Sequence, residues 1–155
     1  MSFNPSSPVA GAVVPGFTTP TYTLTADIAP NQNGKQFAVT ALGGTQVGVD
    51  ANTVSKPFTL TFFRPPVLKP LPAANPVTGV IKVIPTNTYK LITRKGAKPS
   101  LNQVDQVMRI TTVIEVPAGC ETYEPEDVKA MVSAHFGAAY ASASGIADTL
   151  ITGIM

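Results

Sequence analysis

The stretch "RITTVIEVPAGCETYEPEDVKAMVSAHF" (residues 109–136) changes its hydrophobic period halfway along. Up to Val116 apolar and polar residues alternate, the period of a strand with one covered face. Pro117-Ala118-Gly119 breaks that pattern. From Val128 apolar residues return at spacings of three and four, the period of an amphipathic helix. Almost everything before this stretch reads as β. A β-rich chain that ends in helices raises the question of what those helices cover.

Working back from the quoted segment, the strand at 106–116 puts Met108, Ile110, Thr112, Ile114 and Val116 on one face. Val107, Arg109, Thr111, Val113 and Glu115 fall on the other. One side is mostly apolar and the other mixed, as in an antiparallel sheet covered on one face. "TYKLITR" (88–94) sets Lys90, Ile92 and Arg94 against Tyr89, Leu91 and Thr93, and "PFTLTFFRP" (57–65) sets Phe58, Leu60 and Phe62 against Thr59, Thr61 and Phe63. "TYTLTADIAP" (21–30) and "KQFAVTAL" (35–42) flank "NQNG", whose Asn-Gly tolerates positive φ, a strong hairpin signal. "TQVGVD" (45–50) and "GVIKVIP" (79–85) are further short β candidates. "PPVLKPLPAANP" (65–76) is too rich in proline for a central strand, because each Pro lacks a ladder donor. "KGAKPSLNQVD" (95–105) reads as a loop, and residues 1–20, rich in Pro, Ser and Gly, as an extended or flexible arm.

Downstream, Pro125 suits a first helical turn, and Glu124, Glu126 and Asp127 complement the positive end of the helix dipole. Val128, Met131, Val132, His135, Phe136, Ala139 and Tyr140 then form a stripe. "ASASG" (141–145) interrupts it, and "IADTLITGIM" (146–155) offers a second helix with Ile146, Leu150, Ile151 and Ile154 as its apolar side. The expected fold is a single α+β domain: an arm over 1–20, a hairpin over 21–42, and a sheet over 45–116. The sheet has about five antiparallel strands and an excursion at 65–87, and two helices follow over 124–155. Both helices carry wide apolar stripes, and "ITGIM" has no polar cap, which favours burial against a partner chain.

The net charge is only +2, but it is unevenly distributed. Between residues 56 and 109 nine Lys and Arg residues stand against one carboxylate, Asp105, whereas residues 110–155 hold Lys129 against six carboxylates. A basic middle third points to a polyanionic partner. Alternation puts Lys90, Arg94 and Arg109 on one sheet face, whereas Lys82 and Lys95 suit a solvated edge that discourages strand pairing.

Other functional classes find little support. The N-terminal residues lack the basic and apolar regions of a secretion signal, and no apolar run is long enough to span a bilayer. "NQNGK" has Ala29 where a phosphate-binding loop needs its first glycine, and "ASASG" lacks the first glycine of a nucleophile elbow. His135 is the sole histidine and lies on the helix stripe, as a packed interface residue would, and no His or Cys cluster offers a metal site. Cys120 reads as an inert thiol, with an intersubunit disulfide as the alternative. No enzymatic activity, cofactor, metal, membrane or small-molecule substrate is expected.

The order of segments resembles the coat proteins of single-stranded RNA bacteriophages, from about Thr21 to the end. The likeness rests on the hairpin at "NQNG", the strand "FTLTFFRP", the basic strand "NTYKLITRKGAK", the last strand "QVMRITTVIEVP" and the helices ending in "GIADTLITGIM". The resemblance implies a virion protein, assembled in the bacterial cytoplasm, whose sheet pairs edge to edge with a second copy into a continuous ten-stranded sheet. Each chain's helices would cross over the partner, with Val128, Met131, Val132, His135, Phe136, Tyr140, Ile146, Leu150, Ile151 and Ile154 at the dimer interface. Dimers would build an icosahedral shell, T=3 in the best-known pattern, around the viral RNA.

It also implies that Phe58, Leu60, Phe62, Ile110, Ile114 and Val116 meet the helices. Thr59, Thr61, Lys90, Arg94, Arg109 and Thr111 would then face the RNA, including a hairpin bound for translational repression. The chain departs from the pattern in two places. A stacking tyrosine on the last strand is missing, with Met108 or Arg109 in its region, and the 65–87 segment is long, read as an excursion with a short hairpin arm. The 95–105 loop matches one that takes different conformations around symmetry axes, for which Gly96 and Pro99 are suited. The rival readings are a non-capsid dimeric RNA-binding module and a fibre-forming subunit.

Overall fold

The computed structural model describes residues 3–155; Met1 and Ser2 of the expected arm lie outside the described residues. Six strands, β1 (Val9–Ala10), β2 (Thr18–Asp27), β3 (Gly34–Thr45), β4 (Phe58–Phe63), β5 (Thr86–Ala97) and β6 (Gln106–Pro117), form one antiparallel sheet in sequence order. Three helices follow, α1 (Cys120–Tyr123), α2 (Pro125–Ala141) and α3 (Ala143–Thr152). The α+β class and the hairpin–sheet–helix order hold.

The counts of about five strands and two helices need correction. The sixth strand comes from the arm, whose Val9 and Ala10 pair with Tyr22 and Thr21. The extra helix is the single turn of "CETY", too short to show a period.

Other boundaries move for local reasons. Residues 46–50 form no strand, because β3 ends at Thr45 and a turn follows in which Val49 N–H donates to the Gln46 carbonyl. Up to Pro85 the excursion contains no strand and no hairpin arm; "GVIKVIP" stays irregular, and a turn bonds Asn75 to Gly79 and Val80. The Asn33-Gly34 pair does not adopt positive φ. Gly34 answers a different need, since a Cβ there would lie 2.6 Å from Phe63 Cε1. Gly96 belongs to β5 rather than to the following loop: it pairs with Val107, and a Cβ would lie 2.5 Å from Lys56 Cα. The glycine is needed for close backbone approach, not for loop alternatives.

Cross-strand partners share a face, so the register defines both sides of the sheet. Phe37, Leu60, Thr93 and Ile110 belong to the apolar side, and Ala38, Thr59, Arg94 and Arg109 to the polar side. On the apolar side Leu24, Phe37 and Val39 form the buried centre, with Tyr22, Leu42, Phe58, Leu60 and Phe3 packed around it.

Phe58 and Leu60 pack within the sheet's own cluster, and Phe62 stacks with Phe3 at 5.2 Å between ring centroids while also lining the cavity that faces Val128, Val132 and Phe136, so of these three Phe62 meets α2 within the subunit. The arm covers this part of the face through Phe3. It is held by β1 and by the Ser7 hydroxyl, which accepts a bond from Leu24 N–H.

α2 lies over the β5–β6 end of this surface. Val128, Val132 and Phe136 of α2 approach Leu91, Ile114 and Val116 across a cavity of about 370 Å³. Met131 and His135 flank a cleft against Thr112 to Glu115, residues from both faces of β6, so α2 stands at the outer border of the sheet. No residue of α2 or α3 is buried within the subunit.

Candidate nucleic-acid and assembly surfaces

The polar face is built by threonines on β2 and β4 and by cations on β5 and β6. Threonine fits a pleated, half-covered surface because its branched side chain is already restricted at χ1. Thr59 lies between Ala38 and Arg94, and Thr61 between Gln36 and Ile92. The longer neighbours close over the short hydroxyls, leaving Thr59 4% and Thr61 1% exposed.

A polar chain crosses this surface. Thr61 Oγ1 donates to Gln36 Oε1 at 2.8 Å, and Arg94 Nη2 donates to the same oxygen at 3.2 Å. Arg94 Nε donates to Thr59 Oγ1 at 3.3 Å. Gln36 Nε2 in turn donates to Asp27 Oδ2 at 2.7 Å. That bond, together with the Ile28 N–H, holds the Asp27 carboxyl below its ordinary value. Gln36 was not among the residues singled out from sequence. A lone amide in "GKQFAVT" carries no signal until strand pairing brings it beside Thr61 and Arg94.

Arg94 and Arg109 are direct cross-strand partners on this face. Two like charges so placed repel, and neither is among the described ion pairs, Lys56–Asp50 and Lys129–Glu126. Thr111 follows on β6, opposite Ile92, and is exposed. Lys90 lies on the same face as Phe63 and Val113 and is exposed. The six residues expected on the polar face do share it: Lys90, Arg109 and Thr111 open to solvent, Arg94 partly covered, and Thr59 and Thr61 beneath their neighbours.

Tyr89 faces the apolar side and stacks on Phe62 at 6.2 Å. Lys95 also faces that side, 5.0 Å from the Phe58 ring centroid, and donates to the Asp50 carbonyl at 2.8 Å. Burial lowers its ammonium below the usual lysine value. It is a packing residue rather than a solvated edge.

The second surface is the β6 border. Among the described residues this strand pairs only with β5, and its outer backbone edge stays open along twelve residues. Met108 and Ile110 on its apolar side are 55% and 65% exposed. Of the residues assigned to a dimer interface, Val128, Met131, Val132, His135 and Phe136 line clefts against it; Val128 and Val132 are half-covered, whereas Met131, His135, Phe136, Tyr140, Ile146, Leu150, Ile151 and Ile154 are open to solvent. His135 meets the Phe136 ring edge-on at 5.3 Å. Cys120 is a free, partly covered thiol at the start of α1.

A sheet with one armoured end and one open border, overhung by bare apolar helices, has a counterpart among solved structures. A chain described as "Virus-like particle of bacteriophage ESE020" is 50% identical, superposes with a TM-score of 0.95, and is covered over 100% of its length by 99% of this chain. The chain belongs to the RNA-bacteriophage coat proteins. No family model matches it, and no curated protein does. A coat protein is a structural component of the capsid, and the α+β sheet-and-helix architecture is common to this chain and its 50%-identical relative.

Proposed function

We propose that the chain is the shell-forming subunit of an RNA-phage particle, associating first as a dimer and enclosing single-stranded RNA. The observation that carries this reading is the open border of β6 beneath helices without a single buried residue. A long open edge strand is a hazard that soluble proteins normally blunt, and large exposed apolar patches mark interaction sites. Antiparallel pairing of β6 with β6 of a second copy would join two sheets and bring each chain's α2 and α3 over the other's apolar face. Such a union follows two-fold symmetry, the commonest closed arrangement of identical subunits. Dimers would then assemble into an icosahedral shell; the relative's name supports this as far as the formation of a virus-like particle.

The polar face becomes the inner surface in this reading. Arg94 beside Arg109, with Lys90 on the same face, supplies cations whose mutual repulsion a phosphate chain relieves. Bacterial expression followed by size-exclusion chromatography and electron microscopy tests the proposal. Particles holding nuclease-protected RNA are expected; a small RNA-binding dimer or filaments would refute the shell. Replacing Lys90, Arg94 and Arg109 together with Ser is expected to lower enclosed RNA while leaving dimers folded. Unchanged RNA content would refute the face assignment.

A further inference from the structure

The excursion between β4 and β5 carries a projecting turn over residues 75–80, and residues 66–80 are exposed throughout. Six prolines between residues 65 and 85 restrict its backbone, and hydrogen bonds fix the turn itself. Asn75 N–H donates to the Val80 carbonyl at 3.1 Å, and Gly79 N–H donates to the Asn75 carbonyl at 2.8 Å. Asn75 Oδ1 accepts from Val77 N–H at 2.8 Å and from Thr78 N–H at 3.2 Å. This ordered segment holds Val77, Val80 and Val83 at 91%, 60% and 74% exposure. A fixed backbone that keeps three valines in water is prepared for a contact outside the subunit.

Charge narrows the partner. No carboxylate occurs between residues 51 and 104, so the excursion presents Arg64, Lys69 and Lys82 without a compensating acid in its own sequence. Lys82 is exposed just after the turn and belongs to neither described ion pair. The opposite pattern stands in "CETYEP" (120–125), where Tyr123 is 87% exposed between Glu121 and Glu124. An exposed aromatic ring beside carboxylates is the complement of exposed valines beside a cation. Both surfaces lie at one end of the sheet: Ala118 N–H donates to the Pro85 carbonyl at 2.8 Å, and Leu71 lies against Gly119. Within one subunit they do not meet, since the turn and Tyr123 are both open to solvent.

We propose that this turn docks on Tyr123 of a subunit in a neighbouring dimer, with Val77 and Val80 against the ring and Lys82 toward Glu124. The proposal rests on the shell reading above and adds a contact that joins one dimer to the next. It uses neither the outer edge of β6 nor the apolar stripes of α2 and α3. Every subunit carries both halves, so each gives one turn and receives one, and repetition of the contact extends the assembly. The relative described as a virus-like particle superposes with a TM-score of 0.95 over 99% of this chain, which leaves little room for a different excursion there. A nucleic acid would match the cations alone: valines offer no ring for base stacking, and Glu121 and Glu124 repel phosphate.

The test uses the full chain purified as particles, with the photocrosslinker benzoylphenylalanine in place of Val77. Irradiation is expected to join position 77 to the peptide holding Tyr123 of another copy, identified by mass spectrometry of mixed isotope-labelled subunits. Lys82→Glu is expected to lower particle yield about tenfold without changing the dimer peak in size-exclusion chromatography, and so is Glu124→Lys. Both substitutions in one chain are expected to restore particles. A crosslink to RNA or to any other coat peptide refutes the proposal, as does wild-type yield from both single variants. A double variant that stays at the low yield refutes the pairing of Lys82 with Glu124. If the wild-type chain forms particles and position 77 crosslinks to nothing, this contact alone falls, because the turn then faces solvent. If the wild-type chain forms dimers and no particles, the shell reading falls and this contact with it.

Discussion

Phe3 stacks on Phe62 with ring centroids 5.2 Å apart and planes inclined by 25°, and the same ring meets Phe37 edge-on at 5.9 Å. One residue of the arm thus covers the centre of the apolar sheet face. Phe3→Ala is expected to lower unfolding stability by about 1–2 kcal/mol, from lost burial and ring contacts. Phe3→Leu should cost less than half of that. Denaturant midpoints at an unchanged slope measure both, and an arm that merely rests on the surface would give no shift for either variant.

How the arm docks was not legible in the sequence, and the reason is general. Proline, serine and glycine in residues 1–20 describe a segment without periodicity, and nothing local says that Phe3 will find Phe62 some sixty residues away. The six polar-face residues were legible, because alternation along a strand is a local property that tertiary structure seldom overturns. The burial of Thr59 and Thr61 was not, since it depends on which strands flank β4. Helix existence followed from period, but the start of α3 at Ala143 did not, because "ASASG" carries no apolar signal. The excursion's irregularity overrode the β-like "GVIKVIP", a run with no neighbouring strand to pair with.

Gln36 joins four strands' worth of polar groups through one amide, and its side chain is 7% exposed. Gln36→Leu keeps the volume but leaves the Thr61 hydroxyl and an Arg94 N–H without their acceptor. A loss of about 1–3 kcal/mol in stability is expected. A wild-type denaturant midpoint in the variant would show that water replaces the amide at no cost.

The Asp27 carboxyl is held below its ordinary value by the Gln36 amide and the Ile28 N–H. Its folded-state affinity for protons is therefore lower than in the unfolded chain. The stabilisation it brings is present above the ordinary aspartate value of about 3.9 and is lost as pH falls below that toward the lowered folded value. Because the group is exposed, the contribution is small. Asp27→Asn is expected to remove this part of the acid dependence, seen as a shallower fall in denaturant midpoint below pH ~4. Parallel curves for variant and wild type would contradict it.

At Gly34, adding a methyl group forces the Phe63 ring to move, because the new Cβ would lie 2.6 and 2.8 Å from two of its carbons. Gly34→Ala is expected to destabilise the subunit by about 1–3 kcal/mol, the usual cost of overpacking. Phe63→Ala in the same chain should recover much of that loss by removing the clash. A double-mutant cycle reads the coupling, and strictly additive effects would mean that the ring is not what requires a glycine here.

The ends of the molecule make opposite demands on α3. Within one subunit Leu150 and Ile151 are 75% and 83% exposed, so placing charge there costs the isolated fold almost nothing. If a second copy's sheet receives this helix, the same charges become buried without partners, and association carries the full desolvation penalty. Leu150→Glu with Ile151→Glu is therefore expected to keep the β-rich circular dichroism spectrum while abolishing dimers and particles in light scattering. Particles of wild-type yield from the double variant would mean that α3 points to solvent in the shell. Loss of the folded spectrum would mean that the lone subunit depends on contacts made only in the assembly, because no described residue of the chain buries these two side chains.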